Sequence, residues 1–186
     1  MNVRKMSKFL IRKYALGGFV SAFFAVVAVA QTPTPTPSNE QLVKVQYDAS
    51  KDFTQISLNP IVLASRRMEE LRLAATSGYP GKTRSKPTEI TLILFSLSHT
   101  DDNRYGATHK LSAVADGHRF DWGETSHGKQ ATNGVFLEVM MANIPMDDFL
   151  AVSKAKSVKI KIGLAEVELS PEQINILRLT ASYFTE

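Results

Sequence analysis

The chain of 186 residues contains no cysteine. That excludes a disulfide framework, a thiol nucleophile and lipid attachment through an N-terminal cysteine. Also missing are the Gly-x-Ser-x-Gly elbow, the phosphate-binding loop, the His-Glu-x-x-His pair and the Gly-x-Gly-x-x-Gly turn. No local motif for acyl transfer, nucleotide binding or zinc-dependent proteolysis is therefore present. Beyond residue 30 no apolar run is long enough to span a bilayer.

What is there begins with charge. Arg4, Lys5, Lys8, Arg12 and Lys13 precede a largely apolar run over residues 14–30 that closes on Ala28-Val29-Ala30. A cationic start, an apolar middle and a small-x-small exit predict a signal peptide over residues 1–30. The expected location is thus exported, either periplasmic or secreted. Contact with the membrane is then transient, unless the segment is kept as an anchor.

The signal also accounts for the basicity. It holds five of the 22 Lys and Arg and none of the 18 Asp and Glu, leaving 17 cations against 18 anions. Clustered excess positive charge is what nucleic-acid binding needs, so no nucleic-acid partner is expected. Residues 31–40 follow as a Thr/Pro-rich linker, in which three Thr-Pro steps remove amide donors and hold the backbone extended.

Residues 41–186 predict a single β-rich domain, long enough to be stabilised by burial alone. The dominant period is two. Val43, Val45 and Tyr47 alternate with polar residues; Ile56 and Leu58 follow Phe53 up to Pro60, which interrupts the pattern before Ile61–Leu63 resumes it. Residues 66–76 read as a strand despite good helix propensity in Met68-Glu-Glu-Leu-Arg-Leu. Residues 89–97 are apolar on both faces, as in a strand at the middle of a sheet or under a second layer. Val135, Leu137, Val139 and Met141 fall on one face of another strand, with Met140 and Met141 expected in the core.

Asp116-Gly117 predicts a two-residue hairpin that sets Ala115 opposite His118, Ala113 opposite Phe120, Leu111 opposite Trp122 and His109 opposite Glu124. Ser170-Pro171-Glu172-Gln173 is a capping box with proline at the first helical position. It opens a C-terminal helix whose Ile174, Leu177, Ala181 and Phe184 share a face. A shorter helix is expected over residues 146–155. The fold class is mainly β (α+β): an antiparallel β-sandwich or curled sheet of about eight strands, with the C-terminal helix packed on it.

No residue is assigned a catalytic role, and no cofactor is required; a divalent metal is the one candidate. All four histidines lie between residues 99 and 127. On the hairpin ladder His109 and His118 are about 20 Å apart at ~3.3 Å per residue, so they cannot share an ion. His99 and His109 flank one connection, and with Glu124 they form a candidate His–His–carboxylate set. Asp101, Asn103 and Gly106 stand where a calcium loop has its first, third and sixth residues, although Tyr105 replaces the fifth ligand and Ser112 the bidentate glutamate.

Lys154, Lys156, Lys159 and Lys161 read as a solvated sheet edge, and residues 123–134 as a connection able to bind a partner. The functional expectation is an exported binding or structural module whose partner is a protein, a glycan or a cell surface. The alternative is a metal-assisted hydrolase built on His99, His109 and nearby carboxylates.

Overall fold

The computed structural model describes residues 42–100, 105 and 108–185, all within one compact unit, Thr36–Glu186. Residues 1–40, the segment read as signal and linker, lie outside the described residues. Ten strands form two antiparallel sheets. The larger has the order β1 (Val43–Asp48), β2 (Phe53–Arg66), β3 (Glu69–Pro80), β4 (Glu89–Ser98), β8 (Val135–Pro145), β7 (Ser126–Thr132). The smaller has the order β10 (Ala165–Glu168), β9 (Val158–Ile162), β5 (Lys110–Ala115), β6 (His118–Glu124). Among the described residues two helices accompany the sheets, α1 (Met146–Lys154) and α2 (Pro171–Ser182). The β-rich α+β class with a C-terminal helix is as the period-two pattern implies. Among the described residues the strand count is ten, against the expected eight or so.

Both sheets and both helices feed one core. Ile56 and Leu58 of β2, Leu73 of β3, Leu94 of β4 and Met140 and Ile144 of β8 come from the large sheet. Leu111 and Ala113 of β5 and Ile160 and Ile162 of β9 come from the small one. Phe149 and Val152 of α1 and Ile174, Leu177, Ala181 and Phe184 of α2 fill the remainder. Full burial of such side chains contributes about 1.5–3 kcal/mol each, and the fold depends on it with no covalent staple present. The capping box of α2 is formed: Gln173 N–H donates to Ser170 Oγ at 3.2 Å and Ser170 N–H to Gln173 Oε1 at 2.7 Å.

Several sequence expectations are corrected. The interruption at Pro60 is not among them: β2 resumes beyond it as expected, with a register shift between Leu58 and Ile61 that absorbs the missing donor. Residues 126–132 are not a connection but the exposed edge strand β7, joined to β8 by an Asn133-Gly134 turn with both φ positive, 52° and 76°. Lys159 and Lys161 do not mark an edge: β9 lies between β10 and β5, and the lysines occupy its outer face, Lys159 paired with Glu166 at 3.1 Å. Of the two methionines, Met140 is fully buried but Met141 is 43% exposed.

That last difference fixes the orientation of β8. Its inward residues are Glu138, Met140, Ala142 and Ile144, while Leu137, Val139 and Met141 face outward. On β4 the inward set is Ile90, Leu92, Leu94 and Ser96, and Ile93, Phe95 and Leu97 lie half-buried on the outer face. Among the described residues, no element covers that outer face as a second layer.

Candidate functional site

Of the residues proposed from sequence as metal ligands, His99, His109 and Glu124 are among the described residues. His99 is exposed just beyond β4, its N–H bonded to the Met68 carbonyl at 2.9 Å. His109 is half-buried before β5, and Glu124 ends β6 on the surface. Asp101 and Asn103, the calcium-loop positions, lie outside the described residues. Among the described residues, no group of three or more His, Cys, Asp or Glu side chains has the geometry to hold a metal ion.

A bulge is the reason His109 misses Glu124. The hairpin register holds at Ala115–His118 and Ala113–Phe120, then slips, so that Lys110 rather than His109 faces Glu124. The extra residue sits on β6, where Gly123 takes a φ of 75° that side-chain-bearing residues resist. The bulge turns the chain from the small sheet into the large one. At that corner Thr125 donates from both its N–H and its Oγ1 to the His109 carbonyl, each at 3.0 Å.

The true partner of His109 is His127, two residues past the corner. The rings stack with centroids 4.1 Å apart and planes 13° from parallel. Parallel rings set their nitrogens side by side rather than converging on one ion. His127 Nε2 lies 3.3 Å from Glu138 Oε2, and Lys129 Nζ lies 3.5 Å from Glu138 Oε1. Glu138 is only 4% exposed, so these cationic and hydrogen-bonding groups offset the cost of placing a carboxylate beside Met140. His109 Nδ1 is buried with no hydrogen-bond partner among the described residues. Glu138 carried no sequence signal beyond being one charge among apolar neighbours.

A second polar network lies across the inner face of the large sheet. Tyr105 Oη donates to Glu69 Oε1 at 2.8 Å, and Ser96 Oγ donates to the same oxygen at 3.1 Å. Burial, and then the bond to Glu69, push the Tyr105 phenol well above its ordinary range. Ser96 is paired in register with Glu138, so the two networks occupy neighbouring strands. Both are structural in character: each encloses one carboxylate or phenol and satisfies it with polar groups of neighbouring strands.

Open surface lies elsewhere. One groove is lined by Phe53, Ser77, Gly78, Lys86, Glu89 and the pair Thr91–Asn143. A second, lined by Trp122, Glu124, Ser126 and Met141, shares that same pair. Thr91 Oγ1 and Asn143 Oδ1 are bonded at 2.7 Å where the two meet, forming a trough across the end of the outer sheet face. At ~4.8 Å per strand it spans about 19 Å from β2 to β7 and continues to β6. Gly78 shapes its far end, because a Cβ there would collide with the Phe53 ring and the Thr54 carbonyl. At the near end the Trp122 indole is fixed by its Nε1–H donating to Asp148 Oδ2 at 3.0 Å. The Lys86 ammonium is paired with Asp147.

Comparison with protein-family models, with curated proteins and with solved structures finds no match to this chain.

Proposed function

We propose that the chain is an exported binding module that takes an uncharged glycan along the Thr91–Asn143 trough. The observation that carries this reading is the trough itself: aromatic side chains at its two ends, Phe53 and Trp122, with hydroxyl and amide groups between them. A polyol chain needs that combination. Ring faces pack on its C–H surfaces, and Ser, Thr and Asn side chains both donate to and accept from its hydroxyls.

Charge favours a neutral ligand. Lys86 is already engaged by Asp147, and Glu89 and Glu124 would repel an anionic one. Export rests on the cationic, apolar and small-residue sequence of residues 1–30, which places such a module where glycans are met.

The test is a glycan array probed with the exported chain and with an Asn143→Leu variant. Retention of neutral oligosaccharides by the native chain and their loss in the variant supports the reading. Binding that survives Asn143→Leu, or no glycan retained, contradicts it.

A further inference from the structure

The outer face of the small sheet carries two cations without counter-charges. Alternation along β5 and β9 turns Lys110, Ser112 and Lys161 outward, away from the buried Leu111, Ile160 and Ile162. Lys161 stands directly across from Ser112, and Lys110 is its diagonal neighbour at ~7–8 Å, within reach of long side chains. Neither ammonium has an ion-pair partner among the described residues, and the register shows why. Glu166, across from Lys161, is taken by Lys159 at 3.1 Å. Glu124, across from Lys110, lies beyond the Gly123 bulge and lines the trough instead. Asp121 is held by Arg119 at 3.5 Å and by the Gly123 N–H at 3.2 Å. Lys110, Ser112, Lys161 and the Arg119–Asp121 pair line one cleft of about 230 Å³. That is below the ~300–1,000 Å³ of sites that enclose a drug-sized molecule, so the cleft suits one small group.

We infer that this cleft binds a single tetrahedral dianion, a phosphate or sulfate group, free or as an ester. The charges match. With Asp121 and Arg119 balancing one another, Lys110 and Lys161 leave two positive charges for the ligand to neutralise. Two ammonium groups held as diagonal neighbours repel one another, and an anion seated between them relieves that repulsion. The donors match as well. Each ammonium offers three N–H groups and no acceptor. The hydroxyls of Ser112 and Thr108, which make no side-chain hydrogen bond among the described residues, add donors without adding charge. The excess charge is also local. Along the same face Lys159 is paired with Glu166 and has Glu168 directly across from it, so no basic stripe continues for a polyanion to follow. The cleft shares no lining residue with the trough and stands independently of what binds there.

The test is a titration of the isotope-labelled chain with sodium phosphate, read from amide NMR shifts. Phosphate replaces chloride at low, constant ionic strength, because salt screens exposed charges, and at about pH 8, where a phosphate group is dianionic. Saturable shifts at Lys110, Ser112 and Lys161 are expected, with the same residues responding to sulfate. Lys110→Met and Lys161→Met are each expected to weaken binding about tenfold or more, through loss of a charge-assisted hydrogen bond. Both lysines are exposed, so these variants keep the native circular dichroism. Lys154→Met removes the same charge outside the cleft and is expected to leave binding unchanged. Glycerol phosphate separates the two sources: binding as tight as that of inorganic phosphate supports a site for an ester, and its exclusion supports a site for the free anion. Shifts that fail to saturate, or that chloride alone reproduces, overturn the inference. So does a Lys154→Met variant weakened as much as Lys161→Met.

Discussion

Glu138 of β8, buried to 4% exposure, holds Lys129 of the edge strand β7 at 3.5 Å, carboxylate to ammonium. The two residues are directly paired in register, yet only the carboxylate is enclosed; the Lys129 side chain keeps 29% of its surface. This asymmetry decides what each substitution does. Lys129→Met leaves a buried carboxylate with a weakened cationic environment and is expected to cost on the order of 2 kcal/mol. Glu138→Met replaces the charge by an apolar side chain beside Met140 and frees the lysine to reach water, so it is expected to cost less. Urea midpoints of the two variants, taken at one pH, test the order; the reverse order would remove the Glu138 pairing as the reason.

Tyr105 ties stability to alkaline pH. Burial and the bond to Glu69 raise its phenol pKa in the folded chain. A group raised on folding contributes stability that is fully present below its unfolded value of ~10 and is lost as pH rises past it. Tyr105→Phe is expected to cost about 1 kcal/mol at neutral pH, where the bond to Glu69 is missing. The gap between native chain and variant should stay constant below about pH 9 and narrow above pH 10. Thermal melting of both at stepped pH reads this out, and a gap that widens with pH would be incompatible with it.

Two glycines are expected to respond differently to alanine. At Gly78 a Cβ would meet the Thr54 carbonyl and the Phe53 ring, so Gly78→Ala must displace either β2 or the aromatic end of the trough. A cost of about 2 kcal/mol or more is expected there, with overpacking as its cause. At Gly123 no atom lies within 4 Å of a Cβ, and the only penalty is the φ of 75°. About 1 kcal/mol is expected from that strain. Equal losses from chemical denaturation would mean that crowding at Gly78 is not the controlling term.

The helix start offers a sharper comparison. Ser170→Ala removes one acceptor and should cost about 1 kcal/mol. Gln173 also donates from Nε2 to the Val62 and Leu63 carbonyls, at 2.7 and 3.1 Å, and so fastens α2 to β2. Gln173→Ala is therefore expected to cost more than Ser170→Ala, as measured by the midpoint of urea unfolding.

These variants also mark where the sequence was readable. The capping box at Ser170 and the Asp116-Gly117 hairpin are local, involving residues a few positions apart, and both appear in the structure as their chemistry dictates. The strand β7 was not readable, because Ser126–Thr132 is exposed along its length and has no apolar alternation. The facing of β8 was obscured for the opposite reason: its more regular apolar side, Leu137, Val139 and Met141, points away from the core. Hydrophobic periodicity reports that a face is covered without saying by what.

The pairing of His109 with His127 rather than Glu124 depended on one bulge at Gly123. A two-residue turn fixes register only until the ladder slips. The trough was invisible for a further reason: Phe53, Thr91, Trp122 and Asn143 come from four strands, and only the topology brings them into line.

Trp122 is the only tryptophan in the chain, and it lines the trough. Its emission therefore reports on the proposed site without any label. Titration of the chain with soluble neutral oligosaccharides, cellotetraose, chitotetraose and maltotetraose in turn, is expected to give a saturable change in Trp122 fluorescence with at least one of them. The same titration of the Asn143→Leu variant is expected to give none. A flat response to all three sugars, or an identical saturable response from the variant, would contradict glycan binding along the trough.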